Sequence, residues 1–454
     1  MTLAVPLART ECAPLPDPVV PTVAGARLTV PLVDGTRIGY ANLDHAASAP
    51  CLDTVRDAVD ELLPWYASVH RGAGFASQVS TKVYERARRV LRKFVGARAT
   101  DAVVFTRNTT DSLNLLARAL PKGTSVVLFD TEHHAALLPW RGPRVHRIET
   151  PASAGDAVLA LAEALRECPV GPRLVVLTAA SNVTGEVWPV AALTEVARRH
   201  GARVALDAAQ LAPHRPIDIG ALGVDFVALS GHKLYAPFGS GALIGRADWL
   251  QAAEPYLVGG GATAQVVDWG DRLGVSWSKV PERHEAGSPN VVGAHALAVA
   301  CETLSARWES VVAHERALLR RLRAGLASVP GLRALSLFGA DHDRVGVVGF
   351  TIDGLDSALV AAVLSAEHGI GVRDGAFCAH IATRRLLGRA GAHEQRAVRV
   401  SIGLGTHAEH VDRLVSALRT LVADGPAVAY HLVDGRWAPV ADPRPLPAFL
   451  SEVP

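Results

Sequence analysis

From Val90 to Ile244 short apolar runs alternate with amphipathic helical stretches, a rhythm that commits a chain to strands separated by helices. The runs fall at 102–105, 125–129, 173–178, 203–206 and 225–229, with helical spacing of apolar residues over 112–120 and 190–200. Strands joined through helices pair side by side in one direction, so the pattern predicts an α/β fold around a mostly parallel sheet. After Gly293 the rhythm changes. An Ala-, Leu- and Arg-rich helical region covers 294–328, with strands expected at 345–352 and 398–402, which predicts a smaller α+β lobe.

A chain of 454 residues is longer than one core usually organises, so two lobes are expected. We assign 65–293 to a large domain, and 38–64 with 294–425 to a small C-terminal one. Residues 1–37 are rich in Pro and Ala without a sustained period and read as an arm lying on the surface or on a partner subunit. Residues 426–454 hold Trp437 and six prolines and read as an extended tail packed on one lobe.

Lys and Arg number 46 against 44 Asp and Glu, a net of +2, so no global field draws the chain to nucleic acid or to an acidic membrane. Cys12, Cys51, Cys168, Cys301 and Cys378 are odd in number and scattered, without a CxxC pair, which argues against a disulfide framework and a zinc ribbon. The first residues lack a secretory pattern and no apolar run reaches membrane-spanning length. The expected setting is the cytoplasm, with neither membrane nor nucleic acid as partner.

Ligands of open parallel sheets bind outside the carboxyl ends of the strands, so the residues following each apolar run are the informative ones. Here they are polar: Thr109 and Thr110 after the first run, His133 after the second, Asn182 after the third, Asp207 and Gln210 after the fourth, and Ser230, His232 and Lys233 after the fifth. Each has two readings. Thr109 and Thr110 either cap the following helix or help it bind a phosphate. His133 with His134 is a solvated pair or a ring that stacks on a ligand; no further ligand at metal spacing points to zinc. Asp207 is a turn residue or a functional acid. Lys233, after a Ser-Gly-His turn, is a surface lysine or a Schiff-base amine. Together they supply an anion cradle, a stacking ring, an acid for a pyridinium nitrogen and an amine, which is what pyridoxal 5'-phosphate requires.

The same residues carry a resemblance. The stretches Asn42-Leu-Asp-His-Ala-Ala, His70-Arg71-Gly with Tyr84-Glu85-Arg-Ala-Arg88, Phe105-Thr-Arg-Asn-Thr-Thr110 and Glu132-His133-His134 stand in order along the chain. Ser181-Asn182-Val-Thr-Gly185, Leu206-Asp207-Ala-Ala-Gln210, Ser230-Gly-His-Lys233, Glu285-Ala-Gly-Ser-Pro-Asn290 and Arg373-Asp-Gly-Ala-Phe-Cys378-Ala follow. Over roughly 41–421 the chain resembles pyridoxal-phosphate enzymes of the class V aminotransferase group, nearest the cysteine desulfurases and selenocysteine lyases. The resemblance implies fold type I of the pyridoxal-phosphate transferases, a homodimer with sites at its interface, and cleavage of the C–S or C–Se bond of a cysteine-like amino acid, with a sulfur-acceptor protein as a further partner.

Residue by residue, it implies that Lys233 bonds the cofactor and shuttles the substrate α-proton, that Asp207 pairs with the pyridine nitrogen, that His133 stacks on the ring and that Gln210 contacts the phenolate oxygen. Thr109, Thr110, Ser230 and His232 would hold the phosphate, with Ser288 reaching the phosphate of the neighbouring subunit. Asn182 and Arg399 would bind the substrate carboxylate, Arg373 would assist, and Cys378 would take the sulfur as a persulfide. The loop departs from the pattern, with Asp374, Ala376 and Phe377 where Thr and two His are usual, and Ala136 replaces the Asn usual after the His pair. Those departures keep a second reading open, a C–S β-lyase, epimerase or aminotransferase of the same fold acting on a specialised substrate.

Overall fold

The computed structural model describes residues 20–70, 72–392 and 394–450. Cys12, Arg71, residues 1–19 of the expected arm and residues 451–454 of the expected tail lie outside them.

The central sheet has seven strands: β1 (Asp101–Thr106), β2 (Ser125–Phe129), β3 (Val145–Ile148), β4 (Arg173–Thr178), β5 (Arg203–Asp207), β6 (Phe226–Ser230) and β7 (Gly241–Arg246). Their spatial order is β1-β7-β6-β5-β4-β2-β3. β7 runs antiparallel to β1 and β6, whereas the other neighbours are parallel. Strict alternation explains why the sheet is covered on both sides: Val103, Val127, Val175 and Leu206 join one buried cluster, while their chain neighbours Val104, Val126, Val176 and Ala205 join another. The fold class is thus the expected α/β one. β3 and β7 were not foreseen, because the first alternates with His146 and Arg147 and the second is bracketed by glycines.

The second lobe holds β8 (Leu332–Ala334), β9 (Val347–Ile352), β10 (Arg373–Gly375) and β11 (Ala397–Ser401), antiparallel in the order β8-β9-β11-β10. The expected 294–328 helical region is two helices, Val291–Ser305 and Trp308–Leu326. Packing divides them. Leu297 and Cys301 of the first share a core with Leu52, Tyr84 and Leu91, while Leu318 and Leu322 of the second pack with Phe350, Val400 and Leu418. The Asp53–Leu62 and Val291–Ser305 helices therefore lie against the large lobe, where chain order had assigned 38–64 and 294 onward to the small one. Nine of the residues of Val291–Ser305 are buried, and a helix so apolar must be enclosed by neighbours.

Both ends of the described chain form short antiparallel pairs. Within the arm, Thr29–Pro31 pairs with Arg37–Gly39, and Val33 N donates to Ala366 O at 3.0 Å, so this stretch is fixed to its own small lobe. The tail is not extended: Tyr430–Val433 and Arg436–Pro439 form a hairpin packed on the Ser357–His368 helix. Asp434 (φ +49°) and Gly435 (φ +76°) make its turn, the left-handed pair a two-residue hairpin loop needs. Tyr430 Oη donates to Glu367 Oε1 at 3.0 Å and pins the hairpin to the helix.

Candidate active site

A cavity of about 270 Å³ opens between the carboxyl ends of the large sheet and the small lobe, and every expected site residue except Ser288 lines it. Ser288 lines a separate cavity with Tyr66, His70 and Tyr84. That second wall is held by Glu285, which receives Arg88 Nη1 and Nη2 at 2.9 Å each, Tyr84 Oη at 2.9 Å and the Phe105 amide at 2.7 Å. A buried, bidentate and fully bonded pair of this kind fixes the 285–290 loop to β1.

The helix Thr109–Ala119 begins where β1 ends, and Asn108 caps it, its Oδ1 accepting from Asp111 N at 3.0 Å. Because Asn108 does the capping, Thr109 and Thr110 are left at the first turn facing the cavity. Ser230 Oγ accepts from Thr109 N at 2.9 Å and donates to Thr109 Oγ1 at 3.0 Å, tying the end of β6 to that helix start. His232 is held by Ser48 across 2.8 Å. Hydroxyls gathered at a positive helix end make an anion cradle. The cradle closes only because Gly241 opens β7: a Cβ there would lie 2.5 Å from Leu229 O and 2.7 Å from Asn108 Cα.

Asp207 ends β5, is 5% exposed, and accepts from Ala209 N at 3.0 Å. Burial raises its pKa above the ordinary carboxylate value, opposed by the Ala209 amide and by Lys233. Beside it Glu132 is wholly buried, accepts from Thr178 N at 3.1 Å and is pushed well up by burial and by the charge of Asp207. Burial also lowers Lys233 to about 8, with Arg399 adding to the depression and Asp207 opposing it. Lys233 Nζ lies 3.4 Å from Gln210 Oε1, and Gln210 Nε2 is buried with no partner. His133 is lowered to about 3, first by burial and then by Lys233, so its ring is neutral. Its Nδ1 accepts from Ala135 N at 3.1 Å, which assigns the proton to Nε2.

The opposite wall comes from the small lobe. Arg399 on β11 stands directly across from Arg373 on β10, so two guanidinium groups share one face of the sheet beside the cavity. Like charges so placed repel unless an anion lies between them. Arg399 is 3% exposed; its Nη2 donates to Asp44 Oδ1 at 2.9 Å and its Nη1 to Asn182 O at 3.1 Å, while Nε has no partner. Asn182 Nδ2 donates to Phe377 O at 2.7 Å, and the Phe377 ring lies 5.2 Å under the Arg399 guanidinium. Phe377 and Cys378 both have φ of +53°, a turn that buries the ring and leaves the thiol exposed. Cys378 O accepts from His134 N at 2.8 Å, joining the loop to the large lobe. Asp374 does not line this cavity; it lines the adjoining one, which shares Arg373 with it.

Sequence reasoning left Asp44, Asn108 and Phe377 without roles. Asp44 and Asn108 stand inside motifs already singled out, but nothing in spacing says that Asp44 will meet a residue 355 positions away. Among the described residues, no group of three or more His, Cys, Asp or Glu side chains is placed to hold a metal, and no helix is long and apolar enough to cross a membrane.

The model of the aminotransferase class-V family matches residues 41–414. A cysteine desulfurase of Dickeya dadantii is 36% identical over 399 residues, covering 86% of this chain and 93% of the relative. A probable cysteine desulfurase of Vibrio cholerae is 32% identical over 406 residues, covering 86% and 95%. Among solved structures, a cysteine desulfurase from Thermococcus onnurineus superimposes with a TM-score of 0.75 at 31% identity, covering 84% of this chain and 94% of that one. A cysteine desulfurase from Escherichia coli gives 0.72 at 31% identity, with the same coverage.

Proposed function

The chain belongs to the aminotransferase class-V family, and from that premise we propose that it is a pyridoxal-phosphate-dependent cysteine desulfurase. The observation that carries the reading is one cavity holding Lys233, Asp207, Gln210 and His133 on one wall and an exposed Cys378 on the other. The residues fit the cofactor: the buried Gln210 Nε2 is a donor without an acceptor, and the hydroxyl cradle is built for a phosphate.

Pyridoxal phosphate, when bound, supplies an electron sink conjugated to the substrate's amino nitrogen. Thr109, Thr110, Ser230 and His232 would hold its phosphate, Asp207 would keep a proton on its ring nitrogen, Gln210 would donate to its phenolate oxygen and His133 would stack against it as a neutral ring. Lys233, whose amine is lowered by burial to about 8, would hold the cofactor covalently and move the substrate α-proton. Arg399 and Asn182 bind the substrate carboxylate, with Arg373 adding charge at the mouth. The Cys378 thiolate attacks the substrate sulfur; the C–S electron pair stays with carbon, a proton converts that carbon to the methyl of alanine, and the sulfur remains as a persulfide. Ser288 belongs to the site of a second copy in a homodimer, and the enzyme works in the cytoplasm.

The test is product analysis of cofactor-loaded protein given L-cysteine and a reductant. Alanine and sulfide that disappear in Cys378→Ala support desulfuration through that thiol. Pyruvate formed independently of Cys378 would favour the β-lyase reading, for which the substitution of His by Phe377 in the loop is the motive.

A further inference from the structure

The C-terminal hairpin lies beyond the matched family region, yet it walls a cavity next to the catalytic one. Asp434, Gly435, Arg436 and Trp437 of the hairpin face Arg373, Asp374 and Arg396 across a space of about 590 Å³. Arg373 lines both cavities, so the two adjoin through one side chain. Among the described residues the guanidinium groups of Arg373, Arg396 and Arg436 have no hydrogen bond or ion pair. Asp44, which also borders the space, is already paired with Arg399 at 2.9 Å. Once the substrate carboxylate has left Arg373, that leaves three free guanidinium groups against the carboxylates of Asp374 and Asp434, an excess of one positive charge, with the Trp437 indole as an apolar plate.

We propose that this antechamber binds the carboxylate of a small monocarboxylate thiol that takes the sulfur from Cys378. The inference rests on the desulfurase reading, because the acceptor acts on the persulfide. A single negative charge matches the excess, and the volume suits a small molecule rather than a protein segment. With the carboxylate held by Arg396 and Arg436, the thiol end reaches past Arg373 toward the cavity where Cys378 is exposed. The acceptor thiolate attacks the outer sulfur, the bond between that sulfur and Cys378 Sγ breaks, and the electron pair returns to Sγ. The acceptor leaves as its own persulfide and nothing is oxidised or reduced overall.

The test loads holoenzyme with one equivalent of L-cysteine, removes the excess, and follows protein-bound sulfane sulfur by cyanolysis after addition of 3-mercaptopropionate or 2-mercaptoethanol. Discharge should saturate with 3-mercaptopropionate and remain linear with the uncharged thiol. Arg436→Gln and Arg396→Gln should each raise the half-saturating concentration about tenfold, the loss expected for one charge-assisted contact, while alanine release from L-cysteine keeps its KM. Equal, unsaturated discharge by both thiols overturns the proposal, as do variants that behave like the wild type. A raised KM for L-cysteine in the variants overturns it too, since the space would then serve the substrate. Failure of the desulfurase reading has a different signature, no alanine and no protein-bound sulfur. In that event calorimetric titration of 3-mercaptopropionate into wild-type and Arg436→Gln protein still decides the subsite, equal heats overturning it.

Discussion

The two walls of the catalytic cavity are built on different principles. The large-lobe wall is polar and over-determined: Asp207, Thr109 and Ser230 are each fixed by hydrogen bonds to neighbouring backbone or hydroxyl groups. The small-lobe wall joins Arg399, tied to Asp44 and Asn182, and Arg373 on neighbouring strands to one loop, which is held by the Phe377 carbonyl on Asn182, the Phe377 ring under Arg399 and the Cys378 carbonyl on His134. On the proposed reading, the first wall selects the cofactor and the second the reaction. A rigid wall suits a ligand that stays, and a wall that includes a lightly tied loop suits substrates that come and go.

The largest expected effect falls on the rigid wall. Lys233→Ala should lower turnover by about 10⁴-fold, the upper end for a positioned acid–base group, and should abolish borohydride-reducible attachment of cofactor to protein. A reducible link surviving in that variant would remove Lys233 from its role. Asp207→Ala should slow turnover about 10²-fold while weakening cofactor retention; unchanged turnover after dialysis against added cofactor would show that the acid is only a turn residue. The same wall makes a pH prediction. Lys233 is depressed to about 8, so its reactive neutral fraction falls about tenfold for each unit below that value. Capture of pyridoxal phosphate by the apoprotein, followed by absorbance, should therefore accelerate as pH rises and level off above 8. A flat profile from 6 to 9 would contradict the lowered amine.

The smallest effect tests the loop wall. Phe377→Leu removes the ring beneath Arg399 and should raise the KM for L-cysteine about threefold to tenfold, the worth of one cation–π contact, with kcat nearly kept. Phe377→Tyr should restore the wild-type KM. If kcat falls instead while KM holds, the ring orients the thiol rather than the carboxylate anchor.

The rigid wall was also the legible one. Its residues follow β1, β2, β4, β5 and β6 immediately in sequence, so locating the strands located the residues that line the cavity. The loop wall was less readable because its meaning lies in long-range partners. Phe377 looked like a departure from a pattern, and only its position 5.2 Å from Arg399 reveals its contact with the cavity wall. β7 escaped notice since glycines bracket its apolar residues. The C-terminal hairpin had a readable signal, Asp434-Gly435 between two short stretches containing Leu432, Val433 and Trp437. Its prolines drew attention away from that turn.

Gly241 carries a lesson for redesign. It has no chemical group to contribute, and a search for reactive side chains passes over it. Yet the space it leaves empty sets how near Asn108 can approach the sheet, and through Asn108 the start of the helix that presents Thr109 and Thr110. Transplanting the polar residues onto another scaffold without that bare position would reproduce the inventory of the site and misplace its most demanding part.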